Sequence, residues 1–477
     1  MQANHKGNIC SSEHRWIREG SRLDRYLEKR YGSTIFTHRK IFTMLLPLIL
    51  DSFFVMAINM LTTAMISSSS QESVSAVSLI GPLNMMIYAV YNAISAGGTV
   101  IVAQFKGSGE AERMKQAAGQ LLVATPLSAV IAAAVLIVFA RPITEFLFQG
   151  VSLAVMRKAE QYLIGMSISS IFLGVYMGGF SVFRGLGETN ICLRLTIVIN
   201  LLHFLCSFLF INIWHLDIIG SVLALNIARF IGGGAAVWKL LSPKSVLRVQ
   251  KRHIFRIDKK ILAAIFSIGI PFGMEQLFMN GGSMLVQIYV ARLGTVSVAA
   301  NAIGNSIYAL IQSAPSAVGT LAVTVIGQCY GSGDLALSRR YGKSMITLSF
   351  WLTILSIGLS LPFMPLILKM HRAPAETVSA IYSVLTIALV GMPLTWPISA
   401  IMPNVLRATG DAKFSSYFSL ITMWVIRVGF GYIFAITMGL GVRGVWYSMV
   451  LEWAVRSLVF WMRYKSDVWL RLPAKTE

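Results

Sequence analysis

Two carboxylates stand where acids are rare. Asp51 lies inside the apolar run IFTMLLPLILDSFFVMAINMLTTAMI, one turn after Pro47, and Glu275 lies one turn after Pro271 in IGIPFGMEQLFM. A carboxylate in a hydrocarbon layer costs about 3 kcal/mol on the insertion scale, and such groups mark ion or substrate pathways. The chemistry open to a lone carboxyl in an apolar span is reversible binding of a proton or cation, so Asp51 and Glu275 are the expected coupling residues. The plainer alternative is a protonated carboxyl bonded to a neighbouring helix. His203 is a third coupling candidate, because an imidazole in a span can shuttle a proton near neutral pH. Arg427 occupies the place equivalent to His203 and is expected to offset the acids or pair with one. Glu452 and Arg456 are spaced to form an ion pair along one helix face.

These groups need helices that cross a membrane. Of 477 residues, 55% are hydrophobic and 13% charged, mean hydropathy is +0.68, and about 20 apolar residues suffice for a span. Spans are expected at 41–66, 77–104, 117–140, 160–183, 191–213 and 216–240, then at 261–290, 297–327, 343–368, 378–405, 415–438 and 441–463. The expectation is an all-α membrane protein of twelve transmembrane helices in two six-helix lobes, 41–241 and 261–464. A tail at 1–40, a basic linker at 242–260 and a tail at 465–477 complete the chain. The tail at 1–40 reads as solvated, with an amphipathic segment on anionic lipid as the alternative.

The net charge of +21 does not point to nucleic acid, because the positive residues lie in loops rather than on one soluble face. Most of the 41 Lys and Arg fall in the tails and the even-numbered loops. The positive-inside rule then places both termini on the cytoplasmic side of the cell membrane. The polar start of the chain does not match a cleaved signal peptide. Cys10, Cys192, Cys206 and Cys329 have no metal-ligand spacing and read as free thiols. No HExxH helix, paired-aspartate pattern or His/Cys cluster suggests an intramembrane enzyme. No metal or organic cofactor is expected, and a monomer is.

The two halves repeat. AQFKGSGE at 103–110 returns as GQCYGSGD at 327–334, and FRGLGE at 183–188 returns as LRATGD at 406–411. Each glycine-rich stretch reverses the chain and sets an acid at the start of the next helix, where its charge complements exposed N–H groups. A contact between the halves is the second reading of these turns. An even number of spans per half makes the repeats parallel, related by an axis along the membrane normal.

Taken together, LPLILDS, IPFGMEQ, the two GSG turns and the FRGLGETN and LRATGDAK turns make the chain resemble the multidrug and toxic compound extrusion (MATE) transporters over 41–463. The resemblance implies a V-shaped pair of lobes around a central cavity. It also implies export of cationic or amphipathic compounds by alternating access, in exchange for Na⁺ or H⁺. Two positions depart from the family pattern. The Asp often found late in the first helix is Thr62 here, and the Asp that often follows the Asn of the fifth helix is Phe204, after Asn200. A proton needs one titratable group and Na⁺ several oxygen ligands, so a proton is the expected coupling ion.

Asn84, Tyr88, Tyr91, Asn92, Asn280, Asn305, Tyr308 and Gln312 supply amide and aromatic groups on the helices expected to line the cavity. Aromatic faces with a few polar groups suit flat organic cations, whereas hydrogen bonds between helices are the structural reading of the same residues. The expected function is therefore a secondary antiporter of organic cations or amphipathic drugs in contact with membrane lipid. A flippase of anionic lipid-linked precursors is the alternative within transport, and the sign of the cavity, acids or arginines, discriminates the two. A non-transporting scaffold is the alternative from another class.

Overall fold

The computed structural model describes residues 21–471 apart from 34, 68–69, 149, 244, 246 and 371–373. Thr62 and Cys10 lie outside the described residues and side chains. The first half contains α1 (Arg22–Tyr31), α2 (His38–Ser67), α3 (Gln71–Ser108), α4 (Ala111–Val138), α5 (Ala140–Leu147), α6 (Leu153–Leu186), α7 (Thr189–Ser207) and α8 (Asp217–Leu241). The second contains α9 (Lys251–Phe255), α10 (Lys259–Ala291), α11 (Thr295–Gly331), α12 (Leu335–Met370), α13 (Ala375–Ala408), α14 (Ala412–Thr422) and α15 (Val442–Lys465). In a membrane each backbone N–H and C=O must be bonded within its own segment, which is why long apolar runs become helices. Among the described residues, eleven helices are long and apolar enough to cross. The twelfth, α15, has the length at 24 residues, but its Glu452 and Arg456 lower its apolarity. Both are buried against neighbouring helices, so the charge does not meet lipid.

Helix ends follow the sequence signals. Ser70 caps α3, Ser152 caps α6 and Asp258 caps α10 by accepting backbone N–H bonds. Gly109, Gly187, Gly333 and Gly410 all have positive φ at the repeated turns, a conformation that glycine adopts without steric cost.

The halves exchange their opening segments. Ile41, Met44, Leu45 and Leu48 of α2 pack with α11, α12 and α13 in one core. Ile261, Ala264, Ile265 and Ile268 of α10 pack with α3, α4 and α6 in another. The short helices before them do the same. Tyr341 on α12 donates to the Tyr31 carbonyl at 2.6 Å, and Arg30 donates to Thr347 at 2.8 Å. On the other side, Gln120 of α4 donates to the Arg256 carbonyl at 2.7 Å, and His253 meets Glu112 at 3.2 Å. Residues 22–31, expected as solvated tail, are therefore docked on the second half. The stretch expected as bare linker carries the matching helix α9.

At the glycine-turn end the halves close on each other. A Cβ on Gly107 would run into the Gln328 carbonyl, and one on Gly331 into the Gln104 carbonyl. Gln104 Nε2 donates to the Ala408 carbonyl at 2.8 Å, and Gln328 Nε2 to the Gly185 carbonyl at 2.9 Å. The GSG turns thus reverse the chain and also join the halves. A Gly107→Val substitution is expected to prevent this closure and to expose the buried Cys329 thiol of α11. Faster N-ethylmaleimide labelling of Cys329 checks this, and an unchanged rate argues against the closure.

Candidate functional site

Pro47 and Pro271 each remove a ladder hydrogen bond in the turn before an acid. Asp51 and Glu275 therefore sit where an exchanged half-helix enters its own half. Asp51 is 7% exposed. Its Oδ2 lies 3.7 Å from Nη2 of Arg184, at the end of α6, while Oδ1 is buried without a hydrogen-bond partner. The Arg184 guanidinium lies 4.3 Å from the Phe180 ring centroid. The second half repeats the arrangement more tightly. Glu275, 4% exposed, accepts from Arg407 Nη2 at 2.5 Å. Arg407 also donates to Asn404 Oδ1 at 3.2 Å and lies 4.2 Å from the Phe272 ring centroid.

The acids are thus not lone carboxyls among Leu, Phe and Met: each faces an arginine of its own half. Sequence reasoning placed Arg184 and Arg407 in chain-reversing turns and missed this role. The signal was present, since both arginines recur in the repeat as the acids do. Arg184 also belongs to the closure, because Thr324 of α11 donates to its carbonyl at 2.9 Å.

Three further arginines occupy the interior. Arg229 of α8 donates to Ser169 Oγ at 3.0 Å and pairs with no carboxylate among the described residues. Tyr88, Tyr91, Tyr162 and His203 lie within range of its charge. His203 is half-buried, and the charged neighbour it meets is Arg229, not an acid. In the second half, Arg427 Nε lies 2.5 Å from Glu452 Oε2, as a charge contact without an aligned hydrogen bond. Arg456 Nη1 lies 3.2 Å from Glu452 Oε1 and Nη2 donates to Ser419 at 2.9 Å. The expected Glu452–Arg456 pair is present, with Arg427 as a third member. Arg427 sits in Met423–Phe430, a π-helical continuation of α14, the wide turn that recurs at functional sites.

The amide and aromatic candidates divide. Tyr88 is 44% exposed and lies within range of the charges of Asp51, Arg184 and Arg229. Tyr91 is buried and donates to Ser170 at 3.2 Å. Asn84, Asn92, Asn280 and Gln312 make no side-chain hydrogen bond among the described residues, and Asn280 is exposed. Asn305 donates to the Asn301 carbonyl at 2.9 Å. Tyr308 is packed within the second half: it stacks on Trp453 at 5.5 Å and accepts from Trp396 Nε1 at 2.9 Å. Its aromatic face is occupied in this conformation.

The MatE family model matches residues 47–209 and 271–433, the two repeats. An uncharacterized transporter of Bacillus subtilis, YisQ, is 26% identical over 438 residues, covering 90% of this chain and 95% of its own. A probable multidrug resistance protein NorM of Bacillus licheniformis is 23% identical over 445 residues, covering 90% and 95%. Among solved structures, a MOP superfamily transporter from Pyrococcus furiosus, whose binding pocket is described as of reverse polarity, superposes with a TM-score of 0.84 at 19% identity, covering 91% of this chain and 96% of that one. A Vibrio cholerae MATE transporter gives 0.84 at 19% identity, covering 92% and 98%. With both repeats matched by the family model, over a two-lobe helical bundle, the chain belongs to the multidrug and toxic compound extrusion family of membrane transporters.

Proposed function

We propose that this transporter exports small amphipathic organic compounds in exchange for protons, with Asp51 as the proton-carrying group. The observation that carries the reading is the unequal pair of ion contacts at the two hinge points. Glu275 is clamped by Arg407, whereas Asp51 is held loosely and keeps one oxygen unbonded. Protonation of Asp51 removes the charge that holds Arg184, and Arg184 carries a carbonyl of the closure between halves. Loading a proton thereby loosens the glycine-turn end, and releasing it restores the contact. A substrate with higher affinity for one of the two states is then linked to proton movement. Na⁺ needs several oxygen ligands at once, and Asp51 brings one unbonded oxygen beside a guanidinium.

Efflux of a panel of fluorescent amphiphiles from proteoliposomes, under a proton gradient or a sodium gradient imposed separately, tests the function. Response to sodium alone would overturn the choice of ion, and no efflux under either gradient would overturn the transport reading. The excess of Lys and Arg supports a cytoplasmic glycine-turn end, so the conformation described is closed to the cytoplasm. Phe255 is 80% exposed on α9 and can carry a reporter cysteine. Phe255→Cys is expected to react with an impermeant maleimide in inverted vesicles and not in intact cells. The reverse pattern would refute the orientation.

A further inference from the structure

The charges buried inside the helices do not balance. Arg184, Arg229, Arg407, Arg427 and Arg456 stand against Asp51, Glu275 and Glu452. Asp51 and Glu275 are each taken up by one arginine, and Glu452 is shared between two. Among the described residues, one positive charge in each half is therefore left without a carboxylate of its own. In the second half that surplus opens on a cleft of about 70 Å³ lined by Ser283, Gln287, Asn301, Asn305, Arg427 and Trp446.

Asn301, Asn305 and Trp446 spend their donors on bonds within the cleft wall, whereas Arg427, Gln287 and Ser283 keep donors uncommitted among the described residues. Arg427 directs Nε at Glu452, and its terminal nitrogens make no hydrogen bond among the described residues. Gln287 accepts from Asn301 through Oε1 at 3.3 Å, which leaves its amide N–H₂ to donate. Asn301 Oδ1 accepts from Trp446 Nε1 at 3.1 Å and so fixes the indole wall of the cleft. A guanidinium fork beside an amide and a hydroxyl matches a carboxylate or phosphate oxygen pair, and a cation offered the same cleft meets an arginine instead of an acid.

We infer that this cleft is a subsite for the acidic group of an amphipathic organic anion, with the apolar part of the molecule against the Val286, Val445, Trp446 and Met449 walls. The inference rests on the transport reading and narrows its substrate class. The organic-cation expectation relied on free acids in the interior, and each of those acids faces an arginine.

The test is equilibrium binding without any gradient, so that it does not depend on coupling. Purified full-length protein in zwitterionic nanodiscs is dialysed against radiolabelled 2-naphthoate or against 2-naphthylmethylammonium, a cation of the same shape. Naphthoate is expected to bind at least about tenfold more tightly, and Arg427→Gln to remove that preference while leaving the ammonium affinity unchanged. In that variant Glu452 keeps Arg456 as its partner, and Arg427→Lys, which retains the charge, is expected to recover part of the naphthoate binding. Repeating the titration in nanodiscs containing phosphatidylglycerol separates the sources of the acidic group. Weaker naphthoate binding there identifies a lipid headgroup as an occupant, and unchanged binding a free organic anion. Equal or tighter binding of the ammonium compound, or naphthoate binding that survives in a folded Arg427→Gln protein, overturns the subsite. Proton-driven efflux of cations with no naphthoate binding would overturn this inference alone and leave the transport reading standing.

Discussion

Asp51→Asn is expected to abolish proton-driven efflux while leaving a folded protein in the membrane. The amide is close to the carboxyl in shape and cannot carry a proton in and out. It also lacks the charge that holds Arg184 at 3.7 Å, so it imitates the proton-loaded state permanently. Coupling free energies of about 1–3 kcal/mol correspond to on the order of 5–150-fold changes in affinity, and loss of the coupling group removes a factor of that size from driven transport. Two readouts are expected to move together: efflux under an imposed proton gradient falls to background, and Cys329 becomes more reactive as the glycine-turn closure loosens. Full proton-driven transport by a well-expressed Asp51→Asn protein would sink the mechanism. Lost transport with Cys329 as protected as in the native protein would separate proton binding from the closure.

Arg407→Met carries the largest expected effect on stability. Removing the guanidinium strands the Glu275 carboxylate at 4% exposure, and breaking a buried pair from one side costs about 3–5 kcal/mol. Marginal membrane-protein stability cannot absorb much of that, so the expected outcome is little folded protein and a strongly lowered melting temperature in detergent. Adding Glu275→Gln to Arg407→Met removes the stranded charge and is expected to recover most of the loss, because a neutral buried pair has far less desolvation to offset. Arg184→Met is expected to be milder, since the Arg184 side chain is 26% exposed and its contact with Asp51 is longer. Thermal melts followed by size-exclusion chromatography compare the four proteins. Equal stability of Arg407→Met and the native chain would contradict the buried-pair assignment. It would also weaken the proposed division of labour between a structural Glu275 and a proton-carrying Asp51.

The division between the halves bears on both results. Each acid follows a proline in a helix whose first part belongs to the opposite core. A change in charge at such a point acts on a hinge and not on the middle of a packed lobe. The same exchange accounts for the docking of α1 on α12 and α9 on α4: the amphipathic helix before each lobe is carried along with the half-helix it leads into.

Local chemistry alone determined a good deal of this protein. Apolar run length sets the spans, glycine and acid placement sets the turns, and the recurrence of Pro47–Asp51 as Pro271–Glu275 exposes the duplication, because each depends only on residues close in the chain. The Glu452–Arg456 pair was legible for the same reason, lying within one helix turn. What only the tertiary structure decided is which groups meet across helices. Arg407 reaches Glu275 from 132 positions away, and Arg427 adds itself to Glu452 from a different helix. Tyr308, legible as an aromatic on a cavity helix, is turned instead onto Trp453 and Trp396. Hydropathy periodicity in a membrane helix is weak, because lipid and protein interior are both apolar and the usual inside–outside contrast is lost. The rotation of each helix is therefore fixed by packing and by the pairing of its few charges, which no single segment of sequence contains.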